Sequence, residues 1–194
     1  MANETEIKIR VESHEPVRRA LQQEHAEFLG KVLQTDTFFD SSRGRLRNGD
    51  RGLRIRRLQV IQNPLGHGSE RRLSLVTYKG PKQDCGEMKV REEIEVGVDD
   101  ADAAGQLINA LGLSEKMVIQ KKRASYRLNG CQIELDELPM IGKFVEIEGP
   151  DADTLEKMRR RLGLEGPGIT TSYSQMLAEA RAERGLSEDR AVFE

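Results

Sequence analysis

The chain has 194 residues, a length suited to one domain; 37% are hydrophobic and 33% charged, against about 25% charged in an ordinary soluble domain. Acids and bases nearly cancel, 33 against 31 for a formal charge of −2, which argues against a protein held to nucleic acid or membrane by bulk electrostatics. The two cysteines (Cys85, Cys131) and three histidines (His14, His25, His67) lie in unrelated segments, the wrong pattern for a disulfide scaffold or a zinc site. No Walker-type loop, dinucleotide fingerprint or nucleophile elbow occurs.

In residues 1–10 charges interleave with the apolar side chains, so neither a signal-peptide core nor a membrane span is expected there, and a reducing, cytoplasmic setting is the expectation. Ile7, Ile9 and Val11 alternate with Glu6, Lys8 and Arg10, the period of two that marks a strand over 3–12. Pro16 opens a segment with Val17, Ala20, Leu21, Phe28 and Leu29 at helical spacing, read as a helix over 16–29 with Gly30 at its C-cap. Further strands are expected at 34–40, 51–59, 70–79, 87–98, 116–124, 126–137 and 142–149, which makes eight. Helices are expected at 100–111, at 151–162 and from Thr171 or Ser172 to Gly185. Residues 1–185 then form one domain, with 186–194 as a polar tail.

The charge excess has a pattern. Charged side chains recur every second residue, strand after strand: Glu4, Glu6, Lys8; Arg54, Arg56; Lys79; Lys89, Arg91, Glu93, Glu95; Lys121, Arg123; Glu134, Asp136; Glu146, Glu148. The period of two puts each set on one face, with Ile7, Ile9, Leu53, Ile55, Val90, Ile94, Val96, Ile133, Leu135, Val145 and Ile147 opposite. A sheet with its polar face in solvent explains any one strand. Repeated Glu-x-Glu and Arg-x-Arg pairs, which repel along a face, point instead to charged ligands. If the sheet closes with that face inward, the interior must be wet, because burying unsolvated ions is prohibitive. Eight strands can enclose either packed side chains or one small ligand. Carboxylates there suit Mg²⁺ or Mn²⁺, and the cations suit phosphate.

In order, these segments resemble the CYTH superfamily of triphosphate tunnel metalloenzymes, and its bacterial and archaeal cyclase-type branch in particular. Glu4-Thr5-Glu6-Ile7-Lys8 is similar to its ExExK signature, Leu53-Arg54-Ile55-Arg56 to LRxR, Tyr78-Lys79-Gly80-Pro81 to the KGP turn, and Arg91-Glu92-Glu93-Ile94-Glu95 to RxExE. Lys121-Lys122-Arg123, Leu135-Asp136, Gly142 to Glu148, and Ser172-Tyr173 continue the match. The resemblance implies an α+β fold: a closed eight-stranded antiparallel β-barrel, a tunnel with a charged interior and helices packed outside. It implies metal-side groups Glu4, Glu6, Asp136, Glu146 and Glu148, and phosphate grips Lys8, Arg54, Arg56, Lys79, Arg91 and Arg123. Glu93, Glu95, Lys89, Lys121 and Glu134 either join the site or position their neighbours. Arg43, Arg45, Arg47 and Arg51 match no motif and form either a solvated loop or an anion-attracting mouth.

The function so implied is Mg²⁺- or Mn²⁺-dependent hydrolysis of a phosphoanhydride in a small-molecule triphosphate (inorganic, thiamine or nucleoside). The alternatives are a class IV adenylyl cyclase forming cyclic AMP and pyrophosphate, and a non-catalytic polyphosphate- or nucleotide-binding module. No general base is identifiable, and no nucleic acid or membrane partner is expected of a monomer or homodimer.

Overall fold

The computed structural model describes residues 3–63, 73–85, 87–186 and 189–194; the side chains of Glu4, Cys85 and Lys89, and all of His67, lie outside what is described. The strands are β1 (Asn3–Val11), β2 (Glu27–Asp40), β3 (Gly52–Gln62), β4 (Leu73–Lys79), β5 (Gln83–Cys85), β6 (Met88–Val98), β7 (Ser114–Leu128), β8 (Cys131–Leu138), β9 (Gly142–Gly149) and β10 (Arg190–Ala191). The helices are α1 (Glu15–Gln23), α2 (Arg45–Asn48), α3 (Ala101–Ala110), α4 (Ala152–Arg161) and α5 (Tyr173–Glu183). Eight strands pair antiparallel in the order β1-β9-β8-β7-β2-β3-β4-β6, and β6 returns to β1 with Glu4 opposite Arg91. The ring is closed. β5 adds to β6, and β10 lies parallel to β7.

Closure gives each strand an inner and an outer face, and the alternation assigns side chains to them. On β1, β7, β8 and β9 the outer residues Ile7, Ile9, Ala124, Ile133, Leu135, Val145 and Ile147 form the main core with Val17 and Leu21 of α1 and Leu155 and Met158 of α4. α4 starts at Asp151, whose carboxylate accepts from Thr154 N, and α3 at Asp100, which accepts from the amides of Asp102 and Ala103. A smaller core sets Ala101 and Ile108 of α3 against Phe39 and Ile55. A third closes one end of the barrel: Leu177 of α5 packs among Phe144, Ile119, Leu138 and Ile141. Ser172 and Gln175 form a reciprocal capping box that fixes where α5 begins.

The structure corrects several expectations. The helix read over 16–29 ends at Gln23; His25 takes a positive φ of 55°, and Phe28 and Leu29 belong to β2. Gly30 is no C-cap: it lies at a bulge in the β2–β7 pairing with φ 138°. No strand boundary falls at 125, because the alternation runs on through Ser125 and Tyr126 to Leu128. The reversal is at Asn129 (φ 49°) and Gly130 (φ 78°), the backbone that a two-residue hairpin demands. The tail returns to the barrel as β10, with Ala191 buried. Helices sheathe the outside unevenly, since Ile94 and Val96 on β6, expected to be covered, are 46% and 57% exposed. Among the described residues no helix is long and apolar enough to cross a membrane.

Leu155 is fully buried beneath α4. Leu155→Ala is expected to lower stability by about 2–5 kcal/mol, whereas Leu111→Ala, on an exposed side chain, changes it by no more than ~0.5 kcal/mol; urea denaturation of both variants checks the contrast.

Candidate functional site

The inner face of the ring holds the alternating charges. They line a cavity of about 770 Å³ whose walls include Glu6, Lys8, Asp36, Arg54, Arg56, Lys79, Arg91, Glu93, Glu95, Lys121, Arg123, Glu134, Glu146 and Glu148. Every expected phosphate grip is therefore on the bore, as are the expected metal-side groups Glu6, Glu146 and Glu148. Glu4 shares their strand parity, but its side chain lies outside those described.

The bore is organised by register. Glu6 lies opposite Glu148, Lys8 opposite Glu146, and Glu134 opposite Glu146 on the other side of β9. This gathers carboxylates on β1, β8 and β9. Burial pushes the Glu148 carboxyl above its ordinary pKa, and Glu6, Glu134 and Glu93 push it further the same way. A cation would relieve that repulsion. Among the described residues no three Asp, Glu, His or Cys are yet gathered tightly enough to hold a metal ion. The donors are hard oxygens, which fit Mg²⁺ or Mn²⁺ and not a thiophilic ion.

The opposite wall is cationic. Asp36 holds Arg56 in a bidentate pair, Oδ1 from Nε and Oδ2 from Nη2, both at 2.7 Å, and accepts from Arg54 Nη1 at 3.3 Å. Burial would raise the Asp36 pKa, yet Arg56 and Arg54 hold it well below the carboxylate range. The Arg54 pKa is lowered by burial and by neighbouring Arg56, and its Nε is buried without a hydrogen-bond partner among the described residues. Lys79 pairs with Glu93, yet its pKa is lowered by burial and by Arg54. Arg54, Arg56 and Lys79 thus form a cluster of repelling cations with an unused donor, the electrostatic inverse of the Glu148 cluster.

Other expected residues are committed within the protein. Asp136 has no exposed surface; it accepts a fork from Arg123 at 2.7 and 2.6 Å, a bond from the Tyr173 hydroxyl at 3.1 Å, and an ion pair with Lys121 at 3.1 Å. Arg123 continues to Glu146 at 2.5 Å. The Tyr173 hydroxyl stays protonated because burial and the Asp136 charge raise its pKa strongly. Lys8 donates to Thr171 O at 2.7 Å, lies 4.3 Å from the Tyr173 ring centroid and 3.9 Å from Glu146. Arg91 donates to the carbonyls of Gly80 and Asp50, so it braces the turn after β4 while lining the bore. Lys121, Glu93, Glu95 and Glu134, left open by the sequence, all line the cavity. Of the Arg43–Arg51 group, Arg47 and Arg51 line its mouth.

Asp36 was missed. It is the one charged residue between Thr35 and Thr37, with no like-charged partner two residues away, so the repeating pattern that marked the other strands did not mark it. The available signal was a lone inward-parity aspartate on a strand next to Arg-x-Arg.

A closed antiparallel barrel whose bore sets a carboxylate cluster against a guanidinium and ammonium cluster is a tunnel with a charged interior. Residues 2–173 match the CYTH domain, and the chain belongs to the CYTH family. This places it among enzymes that bind triphosphates, a group that spans triphosphatases and class IV adenylyl cyclases. It is similar to MJ0240 of Methanocaldococcus jannaschii, provisionally named an adenylate cyclase, at 32% identity over 79% of this chain and 81% of that protein. The solved PH1819 protein of Pyrococcus horikoshii superposes with a TM-score of 0.76 at 32% identity, covering 92% of this chain and 99% of the other. HpAC1 of Hippeastrum, a provisional adenylyl cyclase described as revealing a dominant triphosphatase activity, shares the fold with a TM-score of 0.65 at 20% identity, over 95% and 97% of the two chains.

Lys121 provides a pH test. Burial and Arg123 push its pKa down to about 8, against the pull of Asp136 and Glu146. From about pH 8 to the ordinary lysine range the folded chain therefore binds fewer protons than the unfolded one, so this residue's contribution makes stability rise with pH across that window. Lys121→Met should flatten the rise, by ~1–3 kcal/mol over the window, in denaturant midpoints taken at pH 7.5, 8.5 and 9.5.

Proposed function

We propose that the protein is a divalent-metal-dependent hydrolase that binds a triphosphate lengthwise in the bore and cleaves one of its phosphoanhydride bonds. The observation that carries this reading is the pair of self-repelling clusters facing each other: Arg54 with Arg56 and Lys79, and Glu148 with Glu6 and Glu134. A triphosphate with its metal ion places negative charge on the first and positive charge on the second, which relieves both.

In this reading Arg54 and Arg56 grip phosphate oxygens, with Asp36 holding the Arg56 plane so that Arg54 retains its spare N–H for the ligand. Lys79 contributes a point charge. Arg123, oriented by Asp136, spans from the cationic wall to Glu146 and stabilises charge that moves onto the leaving oxygen. Asp136, expected on the metal side, is assigned to positioning, since it is fully covered and its oxygens serve Arg123, Lys121 and Tyr173. Glu6, Glu146 and Glu148, with Glu4, would hold Mg²⁺ or Mn²⁺, which when bound neutralises phosphate charge and orients the attacking oxygen. Lys8 ties residues 169–171 to β1, its carbonyl accepting from Ile169 N and its Nζ donating to Thr171 O.

The second reading is a class IV adenylyl cyclase, in which the ribose 3′-hydroxyl replaces water as nucleophile and pyrophosphate leaves. It is favoured by the name of the M. jannaschii relative; the same walls serve either reaction.

Purified protein incubated with Mg²⁺ or Mn²⁺ and, separately, ATP, thiamine triphosphate and tripolyphosphate is expected to release orthophosphate. Cyclic AMP with pyrophosphate from ATP would establish the cyclase instead, and binding without turnover a non-catalytic module. Arg54→Ala should weaken triphosphate binding by roughly 10- to 100-fold, the worth of a lost charge-assisted bond, with the metal requirement retained. Glu6→Gln together with Glu148→Gln should raise the metal concentration needed for half-maximal activity; unchanged kinetics in both variants would refute the site.

A further inference from the structure

The loop from Ser41 to Arg51, which joins β2 to β3, carries Arg43, Arg45, Arg47 and Arg51 against one acid, Asp50. The chemistry proposed for the bore uses none of the four. Register fixes which end of the barrel they occupy. Asp40, the last residue of β2, lies opposite Ser114 at the start of β7, and Gly52, the first of β3, lies opposite Lys79 at the end of β4. The loop, the turn after Lys79 and the first residues of β7 therefore surround one mouth, and Arg47, Arg51, Lys82 and Lys116 all border the cavity.

This loop is held in shape by its acids. Asp40 accepts from the amides of Ser41, Leu46 and Arg47 at 2.7, 2.8 and 3.0 Å. Burial would raise the Asp40 pKa, yet these bonds hold it below the ordinary value. Asp50 accepts from Lys82 N at 2.7 Å through its carboxylate and from Arg91 Nη2 at 2.9 Å through its carbonyl, and it pairs with Lys82 Nζ at 3.6 Å. The arginines are left over. Among the described residues none of the four, nor Lys116, has an ion-pair partner, and all five are exposed. Elsewhere the exposed Arg19, Arg127, Arg160 and Arg161 each pair with a glutamate.

Distance decides what these charges can do. Arg51 precedes Arg54 by three residues, about 10 Å at ~3.3 Å per residue, which is about one Debye length at ~0.1 M salt. At that separation the loop adds little to the hold on phosphates at Arg54 and Arg56. A polyanion crossing the mouth, however, passes close to Arg47 and Arg51, and Gly52, at inward parity before Arg54, adds no side chain to the path. Fields of one sign at the mouth of a cleft raise association rates by about 10- to 1000-fold.

Resting on the triphosphate reading of the bore, we infer that this mouth is the entrance for the polyanion and that Arg47 and Arg51 steer it in electrostatically. They act as charges on its capture and take no part in the chemistry. Lysine therefore serves as well as arginine, and salt removes the effect.

The test is calorimetric titration of the full chain with tripolyphosphate and Mg²⁺ at about 0.02 M and about 0.5 M KCl, where the Debye length is roughly 20 and 4 Å. Arg47→Gln with Arg51→Gln is expected to bind at least about fivefold more weakly than wild type in low salt and within about twofold of it in high salt. Arg47→Lys with Arg51→Lys stays within about twofold at both. Arg54→Ala, inside the bore where screening is weak, loses affinity at both. A glutamine pair within about twofold of wild type in low salt, a loss of equal size at both salts, or a loss that lysine does not restore overturns the inference and leaves the bore assignment standing. A wild type that binds no tripolyphosphate would sink the triphosphate reading itself.

Discussion

The structure turns on charge held against its own preference. Arg54 stands beside Arg56, and Glu148 beside Glu6 and Glu134, on the inner face of a closed barrel, each partly offset by counter-charges, Asp36 and Glu93 at Arg54 and Arg123 at Glu148. Like charges so placed repel one another, and the register of β1, β3, β8 and β9 is what holds them together. A folded domain gains nothing from such an arrangement unless a ligand of the complementary charge pattern occupies it.

The remaining bore charges make that frustration tolerable. Asp36 neutralises the Arg56 fork and leaves Arg54 underused. Asp136 collects Arg123, Lys121 and Tyr173 into one network in which both oxygens of the carboxylate are engaged. The two aspartates therefore do the same task on two walls: each presents arginines in a fixed plane. Such networks are worth having only when complete, which explains why Asp136 is fully covered while the acids on β1 and β9 keep some access to the cavity.

Much of this was legible in the chain because side chains alternate along a regularly paired strand, so Glu-x-Glu-x-Lys or Arg-x-Arg states its face directly. The strands carrying those pairs, and the helices begun by Asp100, Asp151 and Ser172, were readable for that local reason. What was not readable depends on partners distant in sequence. Phe28 and Leu29 fit a helix as well as a strand until β7 pairs with them. Asp36 carries no pattern of its own and acquires meaning only from Arg56, twenty residues away. Nothing in the order Ile94-Glu95-Val96 says that no described helix covers that outer face, nor in the polar tail that β10 rejoins β7.

The most direct test is anomalous scattering from Mn²⁺ in a crystal grown with tripolyphosphate. The account predicts a manganese peak among Glu6, Glu146 and Glu148, with a phosphate chain running from it to Arg54 and Arg56. Manganese and phosphate found only on the outer surface, or a bore that stays filled by its own ion pairs in their presence, would contradict it.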